Sequence, residues 1–156
     1  MNHKVLVVER DCVFGRSIVN LMAGYGIETD HVTTAEEAVI CCSKKSYDVA
    51  LINLHMPTIN GIKLARMVMA NDPHTETILV SEMGTVNDYI KALSVGVSEF
   101  IYKSVETGVL VAIIRKILKM KALRKGRQLE KSRPASLKIR GLKETDPLEM
   151  KKHTIQ

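Results

Sequence analysis

Hydrophobic positions in the first 103 residues are concentrated in five short runs. The runs are Lys4–Val8, Ile27–Val32, Tyr47–Asn53, Thr77–Ser81 and Ser98–Lys103. They are rich in β-branched residues, and apolar and polar positions do not alternate strictly along them. This pattern is typical of strands that are covered on both faces, as in a parallel sheet. We therefore predict five buried strands.

The four segments between these runs and the one after the last run carry apolar residues three and four positions apart, which is the spacing of one helix face. In the first segment the stripe consists of Phe14, Ile18, Leu21, Met22 and Tyr25, and Gly24 and Gly26 provide its stop. The third stripe contains Ile62, Leu64, Ala65, Val68 and Met69; the fourth contains Val86, Ile90 and Leu93; and the fifth contains Leu110, Ile113, Ile114, Ile117 and Leu118. The segments predict five helices.

Polar residues mark where these helices begin. Thr34 followed by Glu37 has the spacing of a capping box, in which a hydroxyl and a carboxylate each satisfy a backbone N–H. Thr85 and Ser104 are the predicted caps of the fourth and fifth helices. Asp72 followed by proline ends the third helix.

Strand and helix alternate five times, which predicts an α/β fold with a doubly wound parallel sheet. Ligand sites of such sheets lie at the carboxyl ends of the strands. The residues at these ends are Glu9, Arg10 and Asp11, then residues 53–61, then Ser81 and Glu82, and finally Lys103.

Length and composition favour one domain with an additional segment. The chain has 156 residues, of which 46% are hydrophobic and 26% charged, and no apolar run approaches the roughly 20 residues that span a bilayer. Its first residues do not resemble a secretory signal, so we expect a cytoplasmic protein. Cys12, Cys41 and Cys42 lack metal-ligand spacing and are predicted to be reduced, partly buried thiols.

The positive charge lies in the C-terminal segment. Residues 1–120 contain 12 Lys and Arg against 13 Asp and Glu, whereas residues 121–156 contain 11 against 4. We predict a domain over 1–120 and a basic extension over 121–156, which prolongs the fifth helix to about Leu129 and is then flexible. The extension has few large apolar residues and is shorter than the roughly 60 residues of a helix-turn-helix domain. Nucleic acid or an anionic membrane is a possible partner, although no aromatic residue is present to stack on bases.

Four segments carry a resemblance to a known family. VLVVERD, INLHMPTING, ILVSEMG and SVGVSEFIYKS occur in the order and spacing of the receiver domain of two-component response regulators, and the likeness covers residues 4 to about 120. The resemblance implies a flavodoxin-like fold with five helices and strand order 2-1-3-4-5.

The resemblance also implies a role for each matching position. The family's Mg²⁺ would be held at Glu9 and Arg10, by the phosphoacceptor at Asn53 and by the backbone carbonyl of His55. The remaining positions are the switch residues Ser81 and Phe100, the phosphate-binding lysine Lys103, and the turn residues Pro57 and Gly61. Other interpretations stay open: Asn53 as a turn cap, Ser81 as a strand-end hydroxyl, Phe100 as a core residue and His55 as a solvated side chain.

Two positions depart from the family pattern. The amide of Asn53 is a poor nucleophile, so an acyl phosphate cannot form there. Arg10 puts a cation where the family has a metal-binding acid, and Glu9 is one methylene longer than the family's aspartate. Glu9, Arg10, Asn53 and Lys103 sum to +1, or to zero if Asp11 turns inward, and each charge reversal at ~4 Å is worth about 4 kcal/mol at an effective dielectric of ~20. We expect weak or absent Mg²⁺ binding, with Arg10 or Lys103 paired to Glu9 and bonded to the amide oxygen of Asn53.

These features favour a signalling protein that is not an enzyme. The first hypothesis is a pseudo-receiver that acts by protein contact through its fourth helix, fifth strand and fifth helix, with a histidine kinase, an output protein or a second copy as partner. An engineered Asp→Asn change is the alternative origin of Asn53, but it would not account for Arg10. The hypothesis from a different class is a nucleic-acid or anionic-membrane binder that uses the receiver as a scaffold.

Overall fold

The sheet has the predicted strands in the order that the resemblance implied. The computed structural model describes residues 2–132. Its strands are β1 (Lys4–Val8), β2 (Glu28–Val32), β3 (Val49–Asn53), β4 (Glu76–Ser81) and β5 (Glu99–Tyr102). All neighbouring pairs are parallel, and the order is β2-β1-β3-β4-β5. Both the five-stranded parallel sheet and its strand order are confirmed.

Five helices connect and follow the strands. They are α1 (Cys12–Ala23), α2 (Ala35–Lys44), α3 (Gly61–Asn71), α4 (Val86–Ser94) and α5 (Thr107–Lys131). Among the described residues, those up to Leu118 form one compact unit, and residues 119–132 belong to a second. No helix within residues 2–132 is both long enough and apolar enough to cross a membrane.

The predicted helix caps differ in outcome. Thr34 caps α2 by accepting from the N–H of Glu37, but the carboxylate of Glu37 accepts from the hydroxyls of Thr33 and Thr34 instead of from a backbone N–H. Thr85 forms the complete reciprocal box with Asp88 at the start of α4.

The prediction that Ser104 caps the fifth helix is wrong. α5 begins at Thr107, and the carbonyl of Glu106 accepts the N–H groups of Val109 and Leu110. Ser104 instead lies in a turn closed by the hydrogen bond from the N–H of Val105 to the carbonyl of Tyr102. Ser104 therefore lies in the connection between β5 and α5 and not in the first turn of the helix.

The core consists of two apolar layers, one on each face of the sheet. Successive residues of β1 point to opposite faces, so Leu6 and Val8 pack with residues of α2 and α3, while Val5 and Val7 pack with residues of α1 and α5. All four side chains are fully buried. Burial on both faces leaves the strand ends as the places where polar side chains concentrate, and among them Glu9, Asn53 and Ser81 are buried at carboxyl ends.

The cysteines are free thiols of two kinds. Cys41 and Cys42 on α2 are partly buried, and burial raises the pKa of the Cys42 thiol. Cys12 is exposed in the first turn of α1, so the prediction of partial burial is wrong for this residue. Cys12 is exposed because it lies outside the apolar stripe of α1.

A buried tyrosine supports the edge of the sheet. The Tyr47 hydroxyl donates to Asp30 Oδ2 at 2.6 Å, and this bond holds the pKa of the Asp30 carboxyl below its ordinary value of 3.8. We expect Tyr47→Phe to lower the free energy of unfolding by about 1 kcal/mol at neutral pH, since the bond is to a charged but partly exposed group. Because the pKa of folded Asp30 is lowered, this stability is present above the unfolded pKa and is lost as the pH falls through the folded one.

Urea unfolding of wild type and Tyr47→Phe at neutral and acid pH measures this difference. Tyr25→Phe is the matched control, because Tyr25 stacks under Arg115 through its ring and keeps that contact without its hydroxyl. A deficit of equal size at both pH values would contradict the role of ionised Asp30.

Candidate functional site

A cleft opens at the carboxyl ends of the strands. Its volume is about 250 Å³, and it is lined by Glu9, Arg10, Asp11, Asn53, His55, Glu82 and Lys103. Six of these residues are positions that sequence analysis assigned to the site. The sequence also places Glu82 at the carboxyl end of a strand but assigns it no role in the site. Its position directly after Ser81 is the signal that could have identified it as a cleft residue.

Glu9 is the centre of the cleft's polar contacts. It directly follows β1 and is 2% exposed. Its Oε1 atom accepts from Asn53 Nδ2 at 3.0 Å and from the Asp11 N–H at 3.0 Å, and it lies 3.1 Å from Lys103 Nζ. One carboxylate oxygen thus receives two neutral donors and one cation, which offsets the cost of burying its charge.

Lys103 supplies the cation beside Glu9. It follows β5, its side chain is 9% exposed, and its Nζ atom also lies 3.5 Å from the outer carboxylate of Glu82. The ammonium lies 4.7 Å from the centre of the Phe14 ring, which adds a cation–π contact. Of the two cations considered from sequence, the structure places Lys103 beside Glu9.

Asn53 joins two parts of the site through its side-chain amide. Its Nδ2 donates to Glu9, and its Oδ1 accepts from the backbone N–H of His55 at 3.0 Å. The expectation that its oxygen would bond to a cation is therefore wrong. The carboxylate of Glu9 accepts hydrogen bonds, so the amide nitrogen of Asn53, which donates, faces it. The amide oxygen then faces the loop after β3.

Arg10 and Asp11 contribute less than expected to the interior of the cleft. Arg10 is exposed and makes no ion pair within residues 2–132. Asp11 does not turn inward, since its Oδ1 caps α1 by accepting from the N–H groups of Val13 and Phe14. With Glu82 included, three carboxylates and two cations line the cleft, a formal charge of −1 instead of the expected +1 or zero.

His55 is more connected than a solvated loop histidine. Its side chain is exposed, but Nε2 lies 3.0 Å from the Met83 carbonyl oxygen and 3.3 Å from the Ser81 hydroxyl. A carbonyl can only accept, so the shorter contact requires a hydrogen on Nε2. The same nitrogen then cannot take a proton from Ser81, and the two residues do not form a nucleophile–base pair.

The remaining predicted positions, Phe100, Gly61 and Pro57, are not among the residues that line the cleft. Phe100 is 9% exposed and makes edge-to-face contacts with Tyr89 and Tyr102 at centroid distances of 5.9 and 5.7 Å. A Cβ at Gly84 would lie 2.8 Å from the Phe100 ring, so the ring fills the space beneath that glycine. A Cβ at Gly61 would collide with the backbone carbonyl of Asn53, which explains the glycine at the start of α3. Pro57 lies exposed in the intervening loop.

An exposed apolar surface extends from the cleft along α4. The predicted stripe of this helix does not face the core: Val86 is 75% exposed and Ile90 57%, whereas Ala92 is the buried α4 residue. We call the following exposed residues the α4–β5 face: Met83, Val86, Tyr89, Ile90, Leu93 and Tyr102. Contiguous exposed apolar surface of this kind is typical of a protein-binding site.

Sequence comparisons agree with this geometry. A model of the response regulator receiver domain matches residues 5–115. The chemotaxis protein CheY of Thermotoga maritima is 30% identical over 122 residues, which is 76% of this chain and 100% of that protein. The two-component response regulator PhoP of Pseudomonas aeruginosa is 25% identical over 116 residues, which is 74% of this chain. The chain spans about half the length of some curated relatives, namely 52% of PhoP and 51% of the probable transcriptional regulatory protein SilR of Salmonella typhimurium.

Solved structures share the fold. A CheY-like receiver domain protein from Methanospirillum hungatei has a TM-score of 0.76 at 20% identity, with 80% of this chain and 99% of that chain covered. The receiver domain of a Francisella response regulator has a TM-score of 0.70 at 25% identity, with 76% and 98% covered.

Proposed function

The chain belongs to the response regulator receiver domain family, and we propose that within it this protein is a pseudo-receiver: a signalling domain that does not accept a phosphoryl group and acts by contact with other proteins. The observation that carries the proposal is the contact of Lys103 and Asn53 with the buried carboxylate of Glu9. This contact involves the matched positions of the phosphoacceptor, a metal acid and the phosphate lysine.

The side chain at position 53 argues against phosphoryl transfer. A receiver uses a carboxylate oxygen as the nucleophile, whereas Asn53 presents an amide whose nitrogen lone pair is delocalised. Both polar atoms of this amide are already engaged, one with Glu9 and the other with the His55 N–H. Neither atom is available to attack a phosphoryl donor.

The donor set does not fit the family's Mg²⁺. This ion requires an octahedral shell of oxygen atoms, most of them anionic or from water. In the cleft, Lys103 Nζ lies 3.1 Å from Glu9 Oε1, the Asp11 carboxylate caps α1, and position 10 carries a guanidinium. Within residues 2–132 no group of three or more His, Cys, Asp or Glu side chains is arranged to hold a metal. We propose that the Lys103 ammonium provides the positive charge beside Glu9.

The α4–β5 face supports contact as the mode of action. Its side chains are exposed although several are large and apolar, as with Met83 at 80% and Val86 at 75%. Partners of matching chemistry are signalling proteins with an apolar patch, such as a histidine kinase or an output protein. A second copy of this chain is a further partner of this kind, and sedimentation equilibrium over a concentration series tests self-association.

Incubation of the full chain with acetyl phosphate and Mg²⁺, followed by intact-mass spectrometry, tests the proposal. We expect no added phosphoryl group, and no amide chemical-shift change at Asn53 or Ser81 when beryllofluoride and Mg²⁺ are added. Thermotoga CheY, the relative matched over its full length, serves as the positive control for the reagents. A phosphoryl mass increase on this chain would overturn the proposal.

A second candidate function is favoured by the end of α5. Residues 119–131 are helical and carry six basic side chains but one acidic side chain, Glu130. At about 100° per residue the basic positions cover roughly two thirds of the helix circumference, and Leu129 lies about 120° from Leu123 and about 180° from Met120. A membrane-surface helix needs one apolar face, so this arrangement favours contact with nucleic-acid phosphates over contact with a membrane.

Binding of the full chain to duplex DNA at several salt concentrations tests this candidate. We expect Lys119→Ala/Lys125→Ala/Arg127→Ala to reduce the slope of log K against log salt by about 3 units, since each phosphate contact contributes roughly 0.9. The matched control is Lys44→Ala/Lys63→Ala/Lys91→Ala, which removes the same number of exposed cations from the receiver. Equal effects of the two triple variants, or binding to anionic vesicles alone, would reject the candidate.

A further inference from the structure

We infer that His55 is a positioning residue whose ring holds the loop between β4 and α4 in place. In a phosphorylated receiver the phosphoryl group would have this role. The α4–β5 face is therefore kept in one conformation without phosphorylation. This inference rests on the proposed function, because it describes how a receiver that cannot be phosphorylated is regulated. It assigns a role to a side chain that the family pattern uses only through its backbone carbonyl.

The contacts of His55 connect two loops that are far apart in sequence. Its backbone N–H donates to Asn53 Oδ1 at 3.0 Å, which fixes the start of the loop after β3. Its ring donates from Nε2 to the Met83 carbonyl at 3.0 Å, across 28 residues of sequence. The Ser81 hydroxyl lies 3.3 Å from the same nitrogen. The ring therefore bridges the two loops at the position of the switch hydroxyl.

The loop that His55 holds leads directly into the binding face. Met83 follows the end of β4 by two residues, and its own side chain is 80% exposed on the α4–β5 face. Gly84 packs against the Phe100 ring, and Thr85 begins α4 through its capping box with Asp88. A change in the position of the Met83 carbonyl would therefore move the first turn of α4 and the apolar side chains that it carries.

The amide at position 53 makes this bridge compatible with Glu9. An aspartate there would set a second carboxylate against Glu9 and would compete for the Lys103 ammonium. The amide instead donates to Glu9 and keeps its oxygen for the His55 N–H. The contacts from Lys103 through Glu9, Asn53 and His55 to Met83 form a continuous hydrogen-bonded path between the cleft and the binding face.

Hydrogen exchange of the Thr85, Asp88 and Tyr89 amides in the full chain tests this role. All three N–H groups bond within the first turn of α4, so their exchange reports its opening. We expect His55→Ala to accelerate their exchange roughly five- to tenfold, as expected for loss of one hydrogen bond. His55→Gln should stay within about twofold of wild type, because the glutamine amide also offers an N–H at the end of a side chain of similar reach.

His74→Ala is the matched control, since His74 is an exposed loop histidine whose backbone N–H bonds to Asp72. Nitrogen-15 spectra of the wild-type ring in alkaline solution provide a second measurement, with hydrogen expected on Nε2 and none on Nδ1. Exchange in His55→Ala equal to that in His74→Ala, or hydrogen on Nδ1 alone, would overturn the role of His55. Shift changes with beryllofluoride on wild type would instead overturn the loss of phosphorylation, so the two failures are distinguishable.

Discussion

Replacing Lys103 by methionine is expected to lower the free energy of unfolding by about 3–5 kcal/mol. Methionine keeps most of the apolar stem but removes the ammonium that lies 3.1 Å from Glu9 Oε1. The Glu9 side chain is 3% exposed, so its carboxylate would remain buried with two neutral donors and no cation. Removing one partner of a buried ion pair has a cost of this order, because the other charge stays in a low-dielectric site.

A double variant separates this effect from lost packing. Glu9→Gln/Lys103→Met removes both charges and keeps an acceptor for the Asn53 and Asp11 N–H groups, so we expect it to recover most of the lost stability. Lys91→Met, at an exposed position on α4, is the matched control and should change the stability little. Urea denaturation measures all four proteins. A double variant as unstable as Lys103→Met would show that packing, and not the buried charge, is responsible.

Introducing two carboxylates is expected to give the cleft Mg²⁺ binding and phosphorylation. Arg10→Asp/Asn53→Asp supplies a carboxylate oxygen as nucleophile and removes the guanidinium from position 10, while Glu9 and Lys103 are retained. We expect Mg²⁺ affinity to rise on the order of 100-fold over Asn53→Asp alone, because reversing the charge at position 10 is worth a few kcal/mol near the ion. Acetyl phosphate should then add one phosphoryl group to the double variant.

Mg²⁺ titration and intact-mass spectrometry measure this gain. Arg16→Asp/Asn60→Asp is the matched control: Arg16 is an exposed α1 residue, and Asn60 caps α3 through an oxygen that aspartate also has. This control should neither bind Mg²⁺ more tightly nor become phosphorylated. A double variant at positions 10 and 53 that behaves like this control would show that the cleft is unsuitable for reasons other than the two substituted residues.

The local sequence was sufficient to predict the framework of the site. Short apolar runs predicted the strands, since a strand that is buried on both faces has few polar positions. The helical stripes between and after them predicted the helices. The rule that ligand sites lie at the carboxyl ends of parallel strands then located Glu9, Asn53, Ser81 and Lys103. Helix starts were less predictable: Ser104 has a capping side chain, but the turn from Tyr102 to Val105 delays the start of α5 to Thr107.

Contacts between distant residues could not be read from the pattern. Glu9 lies 44 positions from Asn53, and the choice between Arg10 and Lys103 as its cation depends on which side chain the fold directs into the cleft. The orientation of the Asn53 amide follows from the carboxylate that it meets. The periodicity of apolar residues also predicted an apolar face on α4, but not that this face stays exposed. Periodicity shows which residues share a helix face and does not show whether another element covers that face.

The sequence by itself determined the α/β alternation, the residues at the strand ends and the residue types, Asn53 and Arg10, on which the proposed loss of phosphoryl acceptance rests, because these depend on residue type and local spacing. The tertiary structure alone decided that Lys103 pairs with Glu9, that Glu82 belongs to the cleft and that His55 reaches Met83. The physical reason is that each of these contacts is made over a few ångströms, at distances that only the packed sheet and its helices establish between the side chains.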